Sequence, residues 1–467
     1  MAKVVTLTEL QARQSEKECW LAVHGKVYDI TAFLPNHPGG KEIILRNVGK
    51  DASTAFDSVH PPELIEEYLD STKLIGTFED THQTPSEAPL PKTPRNHPPP
   101  THMLSIAEME EHALKVLSPK ALSYYPSATD DEITKHVNNT TFRSILLRPR
   151  VFVDCTTCSL STTILGNPVS LPIFIAPAAM AKLAHPIGEA GIASACSRFG
   201  ALQIISKNAS MSPADIVRAG PNAVFAWQLY VLKDIQATER TLAQIRAIPQ
   251  IKFIVLTLDA PFPGKREADE RFKMAEVAAG GPPQAWGTES ALTWRKTLAW
   301  LATQTDLPIV LKGVQTYEDA YAASLFTSVK GIILSNHGGR ALDTTTTPVQ
   351  VLLEMRKYCP EVFGKLDVLI DGGIRRGTDV VKALALGAKG VGLGRAALYG
   401  LAVGGEEGVR RAMQILAEET VTAMKLLGVK SVDELGPRHI NTAALKSSLF
   451  DGDAGLEEVE KVLRHKL

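Results

Sequence analysis

Five side chains that could carry out acid–base chemistry and bind anions follow short apolar runs in the second half of the chain: Asp259, Arg266, Lys312, His337 and Arg340. A carboxylate that holds an imidazole fixes its tautomer and raises its basicity, so His337 paired with Asp259 is a candidate general base. Arg340 and Arg266 could clamp a carboxylate through paired hydrogen bonds, and Lys312 offers a fixed positive charge. Any one of these charges alone is typical of a structural ion pair, but together they predict an active site.

The first eighty residues hold a candidate centre of another kind. His37 lies in the turn Asn36–Gly40, and His60 follows 23 residues later, directly before two prolines. Two histidines at loop edges inside an apolar shell could bind a haem iron from its two faces. A histidine beside an apolar surface is more often simply packed, so the spacing alone leaves both interpretations open.

The elements that must position the first group are eight short apolar runs, each with a polar or glycine-rich end. Most are separated by helical stretches, which favours a (β/α)8 barrel with its site at the carboxyl ends of the strands. A doubly wound sheet is the alternative, but no G-x-G-x-x-G follows an early strand. The runs are Pro172–Ala176, Ala201–Ser206, Phe225–Tyr230, Phe253–Asp259, Pro308–Lys312, Gly331–Ser335, Asp367–Asp371 and Gly390–Gly394.

Glycine clusters stand at the ends of the last two runs, at Gly372-Gly373 and at Gly392–Arg395. Glycines let a backbone approach a ligand closely, and this part of a barrel is the usual place for a phosphate. The sequence therefore predicts a phosphate-bearing cofactor.

Charge and composition divide the chain into two parts. Residues 1–80 carry a formal charge of −5 and the remainder +4, and residues 81–102 hold seven prolines. Such a segment is typical of an extended, semi-rigid linker. We therefore predict an acidic N-terminal domain at 1–80, a linker at 81–103 and a barrel domain at 104–467.

The whole chain has 467 residues, 44% of them hydrophobic, and a formal charge of −1, which argues against a disordered protein and a general nucleic-acid binder. The sequence contains no run of about 18 apolar residues, so we predict no membrane-spanning helix. Five cysteines suit a reducing compartment, and the N-terminus lacks the pattern of a signal or transit peptide. We expect an intracellular protein, in the cytoplasm or, if a presequence was removed, in the mitochondrial intermembrane space.

The N-terminal segment WLAVHGKVYDITAFLPNHPGGKEIILRNVGKDASTAFDSVH resembles the cytochrome b5 family, over about residues 4–79. The HPGG turn and the second His–Pro are specific to that family. The resemblance implies that His37 and His60 are the two axial ligands of a haem b, an arrangement that suits electron transfer rather than O₂ binding.

The C-terminal part resembles the FMN-dependent α-hydroxy-acid dehydrogenase/oxidase family, over about residues 104–450. The matching segments are SYYPSATDDE, QLYV, LTLDAPFPGKREAD, LKGV, SNHGGRALD, DGGIRRGTDV and GAKGVGLGR. With a haem domain ahead of it, this resemblance implies oxidation of an L-2-hydroxy acid, most simply L-lactate, to the 2-oxo acid. The electrons would pass from FMN to haem b and then to an external acceptor such as cytochrome c, and the resemblance also implies a homotetramer.

The resemblance assigns roles to particular residues. His337 is implied to be the base and Asp259 its partner, while Tyr124 and Arg340 hold the substrate carboxylate with Arg266 nearby and Tyr230 contacts its hydroxyl. The positions implied to bind FMN are Pro177, Ala178, Ala179, Ser206, Gln228, Thr257, Lys312, Asp371, Gly372, Gly373, Ile374, Arg375, Gly394 and Arg395.

Two other functions stay open at this point. One is an oxidase that reduces O₂ and keeps its haem domain for regulation, and the other is a haem electron-transfer module with a silent barrel. The substrate is open as well, because Lys207 and Asn208 follow Ser206 where relatives carry a bulkier apolar or aromatic residue. A larger or more polar 2-hydroxy acid than lactate is therefore an alternative.

Overall fold

The computed structural model describes most of the chain, including both predicted domains. His60 and residues 79–97, which include most of the predicted linker, lie outside the described residues. The described residues are 3–34, 37, 41–45, 47–57, 64–69, 71–78, 98–278, 287–453 and 455–465.

A five-stranded sheet of order β1-β5-β4-β3-β2 organises the N-terminal domain. Residues of β3 alternate between two apolar clusters, so both faces of the sheet are covered. A turn at His24-Gly25 joins β3 to β4, and both residues have positive φ, 51° and 71°. The elements are β1 (Val4–Val5), α1 (Leu7–Gln11), β2 (Gln14–Ser15), β3 (Glu18–Val23), β4 (Lys26–Asp29), α2 (Lys41–Leu45), α3 (Ser53–Asp57), α4 (Leu64–Tyr68) and β5 (Leu74–Phe78).

Three helices and a small hairpin precede the barrel. The hairpin sends Ile164 and Val169 into the apolar cluster inside the barrel, so it closes the end opposite the predicted site. The elements of this region are α5 (Ile106–Val116), α6 (Pro119–Tyr124), α7 (Ile133–Arg143), β6 (Leu146–Leu147), β7 (Thr162–Ile164) and β8 (Asn167–Val169).

Eight parallel strands form a closed barrel, which confirms the predicted fold class. Every strand overlaps its predicted run, with bounds that differ by at most two residues. The strands are β9 (Ile173–Ile175), β10 (Leu202–Ile205), β11 (Val224–Leu229), β12 (Ile251–Thr257), β13 (Ile309–Val314), β14 (Val329–Leu334), β15 (Asp367–Asp371) and β16 (Gly390–Leu393).

Helices cover the outside of the barrel, so alternate residues of a strand are buried on opposite sides. Phe174 points into the interior cluster, whereas Ile173 and Ile175 pack against the helices. Because both faces are buried, the strands read as continuous apolar runs rather than alternating ones. The helices are α8 (Gly188–Phe199), α9 (Pro213–Ala219), α10 (Ile235–Arg246), α11 (Glu267–Ala278), α12 (Trp294–Gln304), α13 (Tyr317–Ser324), α14 (Pro348–Tyr358), α15 (Gly377–Ala385) and α16 (Arg395–Leu426).

The chain ends with elements that lie against the outside of the barrel. The helix α16 is interrupted at Gly404 and Gly405, whose backbone is not helical. A short strand, β17 (Ile440–Asn441), pairs with β6, and the helix α17 (Leu456–His465) packs against α13. Among the described residues, no helix is both long enough and apolar enough to cross a membrane.

Candidate active site

A cavity of about 590 Å³ opens at the carboxyl ends of the barrel strands. Of the predicted barrel residues, Asp259 and Arg266 do not line it and stand behind residues that do. The predicted residues that line it are Tyr124, Pro177, Ala178, Ala179, Ser206, Gln228, Tyr230, Thr257, Lys312, His337, Arg340, Asp371, Gly372, Gly373, Ile374, Arg375, Gly394 and Arg395.

His337 and Asp259 meet in a hydrogen bond between Nδ1 of the imidazole and Oδ1 of the carboxylate, 2.9 Å long. The carboxylate is fully buried, whereas 27% of the imidazole is exposed toward the cavity. Burial acts to raise the pKa of Asp259, but the charges of His337 and Lys312 and the hydrogen bond from His337 outweigh it and lower this pKa. Asp259 is therefore an anion that holds Nδ1–H, which leaves the Nε2 lone pair available to accept a proton.

The backbone that presents His337 is held in an uncommon conformation. His337, Gly338 and Gly339 have φ of 56°, 65° and 78°, a region that residues other than glycine rarely occupy. A Cβ on Gly339 would lie 2.7 Å from the backbone nitrogen of Lys135, so helix α7 packs directly on this loop. Close packing against α7 thus requires Gly339, whereas the positive φ favours glycine at 338.

Lys312 is a buried cation between two side chains. Its Nζ donates to Ser335 Oγ at 2.9 Å and lies 3.3 Å from Oδ2 of Asp371. Burial acts to lower the pKa of Lys312, but the charges of Asp371 and Asp259 outweigh it and raise this pKa. The next residue, Gly313, has φ 98°, and a Cβ there would lie 2.5 Å from Cγ of Asp259, so the LKGV segment supports both charges.

Arg340 and Tyr124 form the opposite wall of the cavity. One guanidinium nitrogen of Arg340, Nη1, donates to the carbonyl oxygens of Tyr124, Tyr125 and Ser127 at 2.7, 3.2 and 3.0 Å. Within the described part of the chain the other guanidinium nitrogens make no hydrogen bond, so they can bind a carboxylate. Burial lowers the pKa of Arg340 to about 10, and the group stays positively charged at neutral pH.

Arg266 supports Tyr124 from behind. Its guanidinium lies 5.6 Å from the centre of the Tyr124 ring, and its Nη2 donates to Asp269 at 3.1 Å. Tyr230 faces the same space from the end of β11. Burial, followed by the charge of Asp259, raises the pKa of Tyr230, so its hydroxyl stays protonated and can donate a hydrogen bond.

Polar side chains line the inner wall in one hydrogen-bonded row. Ser206 Oγ donates to Gln228 Oε1 at 3.4 Å, and Gln228 Nε2 donates to Thr257 Oγ1 at 3.1 Å. All three residues are buried at the ends of successive strands. Such a row of donors and acceptors, with Lys312 beside it, fits the polar edge of a flavin ring.

A cradle for a phosphate lies between the ends of β15 and β16. Gly372 and Gly373 have φ of 92° and 81°, and a Cβ on Gly373 would lie 2.4 Å from the backbone of Asn138. Arg395 begins helix α16 after Gly394, which has no side chain to cap the helix. The helix N-terminus and the guanidinium groups of Arg375 and Arg395 provide the positive environment that a phosphate needs. The residues present therefore fit FMN.

Several supporting residues were not predicted from the sequence. Asn138 and Asn336 exchange two amide hydrogen bonds of 2.8 Å between α7 and the loop of His337. Asp379 accepts from the backbone nitrogens of Arg375 and Arg376 at 3.1 and 3.0 Å, and Glu110 pairs with the Arg375 side chain. The Asn138–Asn336 and Glu110–Arg375 pairs join positions far apart in sequence, so no local pattern predicts them. Asp379 is close to its partners, and the spacing DGG-x-R-R-G-x-D could have pointed to it.

In the N-terminal domain the structure places His37 beside an apolar cluster. The His37 ring packs edge-on against Phe33, with ring centres 5.8 Å apart, and Phe33 packs against the cluster of Tyr28, Ile30 and Leu34. An imidazole in an apolar shell fits an axial haem ligand. The second predicted ligand, His60, lies outside the described residues. His24 is engaged elsewhere, since its Nε2 lies 2.8 Å from Asp57 Oδ1.

Two family models match the chain, one in each predicted domain. The cytochrome b5-like heme/steroid binding domain matches residues 6–79, and the FMN-dependent dehydrogenase model matches residues 113–442.

Individual relatives extend this similarity. The chain is 39% identical to an L-lactate dehydrogenase (cytochrome) of Wickerhamomyces anomalus, over 95% of this chain and 81% of the relative. It is 38% identical to glycolate oxidase 1 of Zea mays, over 74% of this chain and 97% of the oxidase. The crystal structure of the flavin-binding domain of baker's yeast flavocytochrome b2 superposes with a TM-score of 0.70 at 36% identity, covering 78% of this chain and 92% of that one.

The His337–Asp259 pair generates the first prediction. His337→Gln keeps hydrogen-bonding capacity but cannot accept a proton, so flavin reduction by substrate should slow by about 10²–10⁴-fold while FMN content is unchanged. The measurement is anaerobic stopped-flow absorbance of the flavin after mixing with the hydroxy acid. His185→Gln is the matched control, because His185 does not line the cavity. Near-normal flavin reduction in His337→Gln would contradict a role as base.

Proposed function

The chain belongs to the FMN-dependent dehydrogenase family and carries a cytochrome b5-like haem domain ahead of it, and from this we propose that it oxidises L-lactate or a close L-2-hydroxy acid and delivers the electrons to an external acceptor through its haem. FMN and haem b are its cofactors. The observation that carries the proposal is the extent of similarity. The lactate dehydrogenase of the cytochrome type aligns over 95% of the chain, whereas the glycolate oxidase aligns over 74%.

The barrel residues divide the work of the reaction. When bound, FMN supplies a two-electron acceptor and the haem a one-electron carrier. Arg340 and Tyr124 hold the substrate carboxylate, and Tyr230 donates to the hydroxyl oxygen. His337 Nε2 takes one proton from the substrate, and the second hydrogen would pass to bound FMN with the two electrons of the broken C–H bond. Asp259 stabilises the imidazolium that results, and Lys312 balances negative charge at the polar edge of the flavin.

The side chain of the substrate would meet Asn208, in the loop after β10. Asn208 is exposed and lines the cavity, and its amide makes no side-chain hydrogen bond to the described residues. An amide at this place can bind a hydroxyl or a second carboxylate, so the substrate class extends from lactate to acids with a polar side chain.

The external acceptor is proposed to be a basic electron carrier such as cytochrome c. Residues 1–80 carry −5 against +4 on the remainder, so the haem domain presents the negative charge that would attract a basic partner. With cytochrome c as the acceptor, the enzyme would work in the mitochondrial intermembrane space.

We further propose that the chain forms a homotetramer. Support comes from an apolar patch around the start of the barrel domain, where Phe152 has a relative exposure of 107% and a φ of 56°. Val151, Val153 and Leu426 are exposed beside it, and the backbone nitrogen of Arg150 donates to Leu426 O at 3.2 Å. Exposed patches of this kind usually mark protein–protein contacts.

The experiment that tests the function is anaerobic mixing of the full-length protein with L-lactate, with the flavin and haem absorbance followed separately. We expect the flavin to be reduced first and the haem after it. In His37→Ala the haem spectrum should be lost while flavin reduction survives, because the two centres lie in separate domains. His24→Ala, which removes a histidine paired with Asp57, is the matched control and should keep its haem.

Other outcomes distinguish the alternatives. A flavin that is reduced while the haem stays oxidised, with O₂ consumed in air, would indicate an oxidase. A protein that holds haem but whose barrel shows no flavin reduction would indicate a silent barrel. Either result would overturn the proposal.

The Asn208 amide predicts the substrate preference. Replacing it in Asn208→Leu should lower kcat/KM for L-glycerate relative to L-lactate by about three- to tenfold, the effect of one hydrogen bond. Lys207→Met is the matched control, since the neighbouring Lys207 does not line the cavity. An unchanged ratio in Asn208→Leu would show that the amide does not contact the substrate.

The charge distribution predicts the salt dependence of the second half-reaction. Raising the ionic strength from about 0.01 to 0.15 M shortens the Debye length from about 30 to 8 Å. The second-order rate of cytochrome c reduction should fall over this range, and internal flavin-to-haem transfer should change much less. A rate that is flat or rises with salt would contradict electrostatic steering.

A further inference from the structure

Tyr399 is a buried residue of the cavity wall for which the roles above give no task. It lies in the first turns of α16, has an exposure of 2%, and lines the cavity beside Arg395 and Arg375. Its hydroxyl oxygen is buried and has no hydrogen-bond partner among the residues that the structure describes. A buried hydroxyl without a partner is costly, which points to a ligand that completes it.

The charged groups around this hydroxyl restrict what the ligand can be. Arg395, Arg375 and Arg340 lie within electrostatic reach, and a guanidinium can donate hydrogen bonds but cannot accept one. The fourth charged neighbour, Glu132, is engaged: its Oε1 accepts from the backbone nitrogen of Ala128 at 2.8 Å and its Oε2 from Lys135 Nζ at 2.6 Å. The described residues therefore offer the O–H of Tyr399 no acceptor, and the surrounding cations favour an anionic ligand as its partner.

The helix N-terminus supplies an independent reason to expect an anion here. The first segment of helix α16 runs for nine residues, 395–403, before the break at Gly404 and Gly405, and its N-cap, Gly394, contributes no side-chain hydrogen bond. The first amides of an uncapped helix attract negative charge. One side-chain nitrogen of Arg395, Nη2, donates to Gly338 O at 2.6 Å, which fixes the guanidinium beside the helix start.

We propose that the hydroxyl of Tyr399 donates a hydrogen bond to the phosphate of FMN, as a further ligand beside Arg375, Arg395 and the start of α16. This inference rests on the FMN site of the proposed function. Tyr399 is then a cofactor-binding residue rather than a residue that only packs against the barrel.

The test compares two flavins that differ only in the phosphate. Full-length apoprotein is titrated with FMN and with riboflavin, and the quenching of flavin fluorescence gives each Kd. Tyr399→Phe keeps the ring and removes the hydroxyl. It should weaken FMN binding by about ten- to a hundredfold, the effect of a hydrogen bond to a charged group, and leave riboflavin binding unchanged.

The matched control is Tyr317→Phe on α13. Tyr317 has an exposure of 1%, and its hydroxyl donates to Asp453 O at 3.0 Å, outside the cavity. This variant also loses the hydroxyl of a buried tyrosine, and it should bind both flavins as the wild type does. A second readout is the ³¹P NMR resonance of bound FMN, which should shift in Tyr399→Phe and stay in place in Tyr317→Phe.

The outcomes separate this inference from the proposed function. Equal losses of FMN and riboflavin affinity, or no loss of either with an unmoved ³¹P resonance, would overturn the phosphate contact. Wild-type protein that binds no FMN would instead overturn the proposed function. Thermal unfolding of the apoprotein variants confirms that both retain the fold.

Discussion

The hydrogen bond between His337 and Asp259 is the interaction on which the rest of the site depends. Its partners follow β14 and β12, and β13 between them must leave room for the carboxylate. Gly313 provides this room, because any side chain there would collide with Asp259. The positive φ of His337 and the two glycines after it turn the imidazole to the cavity. A proton acceptor, its anionic partner and the backbone that supports both therefore form one unit.

Positive charge is the second organising feature of the barrel mouth. Lys312, Arg340 and Arg395 are each largely removed from water, and each is held by groups of the chain: a carboxylate and a hydroxyl for Lys312, and carbonyl oxygens for the two arginines. Burying cations is unfavourable unless they are hydrogen-bonded and neutralised. In the proposed function anionic ligands would complete that neutralisation, with the substrate carboxylate at Arg340, the flavin at Lys312 and its phosphate at Arg395.

The two domains differ in how far each shields its centre from water and from partner proteins. His337, the proposed base, lies at the barrel mouth among buried charges, and only 27% of its side chain is exposed. His37 lies in a small acidic domain, against Phe33 and its apolar cluster, which suits a one-electron carrier that must meet partners at its surface. Linking both in one chain keeps donor and acceptor at a high effective concentration.

The sequence by itself determined the class of fold and about half of the residues that line the cavity. Strands buried on both faces read as apolar runs, and residues directly after them must gather at one end of a barrel, so Lys312, His337 and Arg340 could be placed without coordinates. Only the tertiary structure decided which of them face the ligand. Asp259 and Arg266 stand behind His337 and Tyr124, and Tyr399, whose buried hydroxyl has no partner among the described residues, lines the cavity. These arrangements depend on packing between segments that lie far apart in the chain, such as α7 against the loop of His337, and a local pattern of residues carries no record of such contacts.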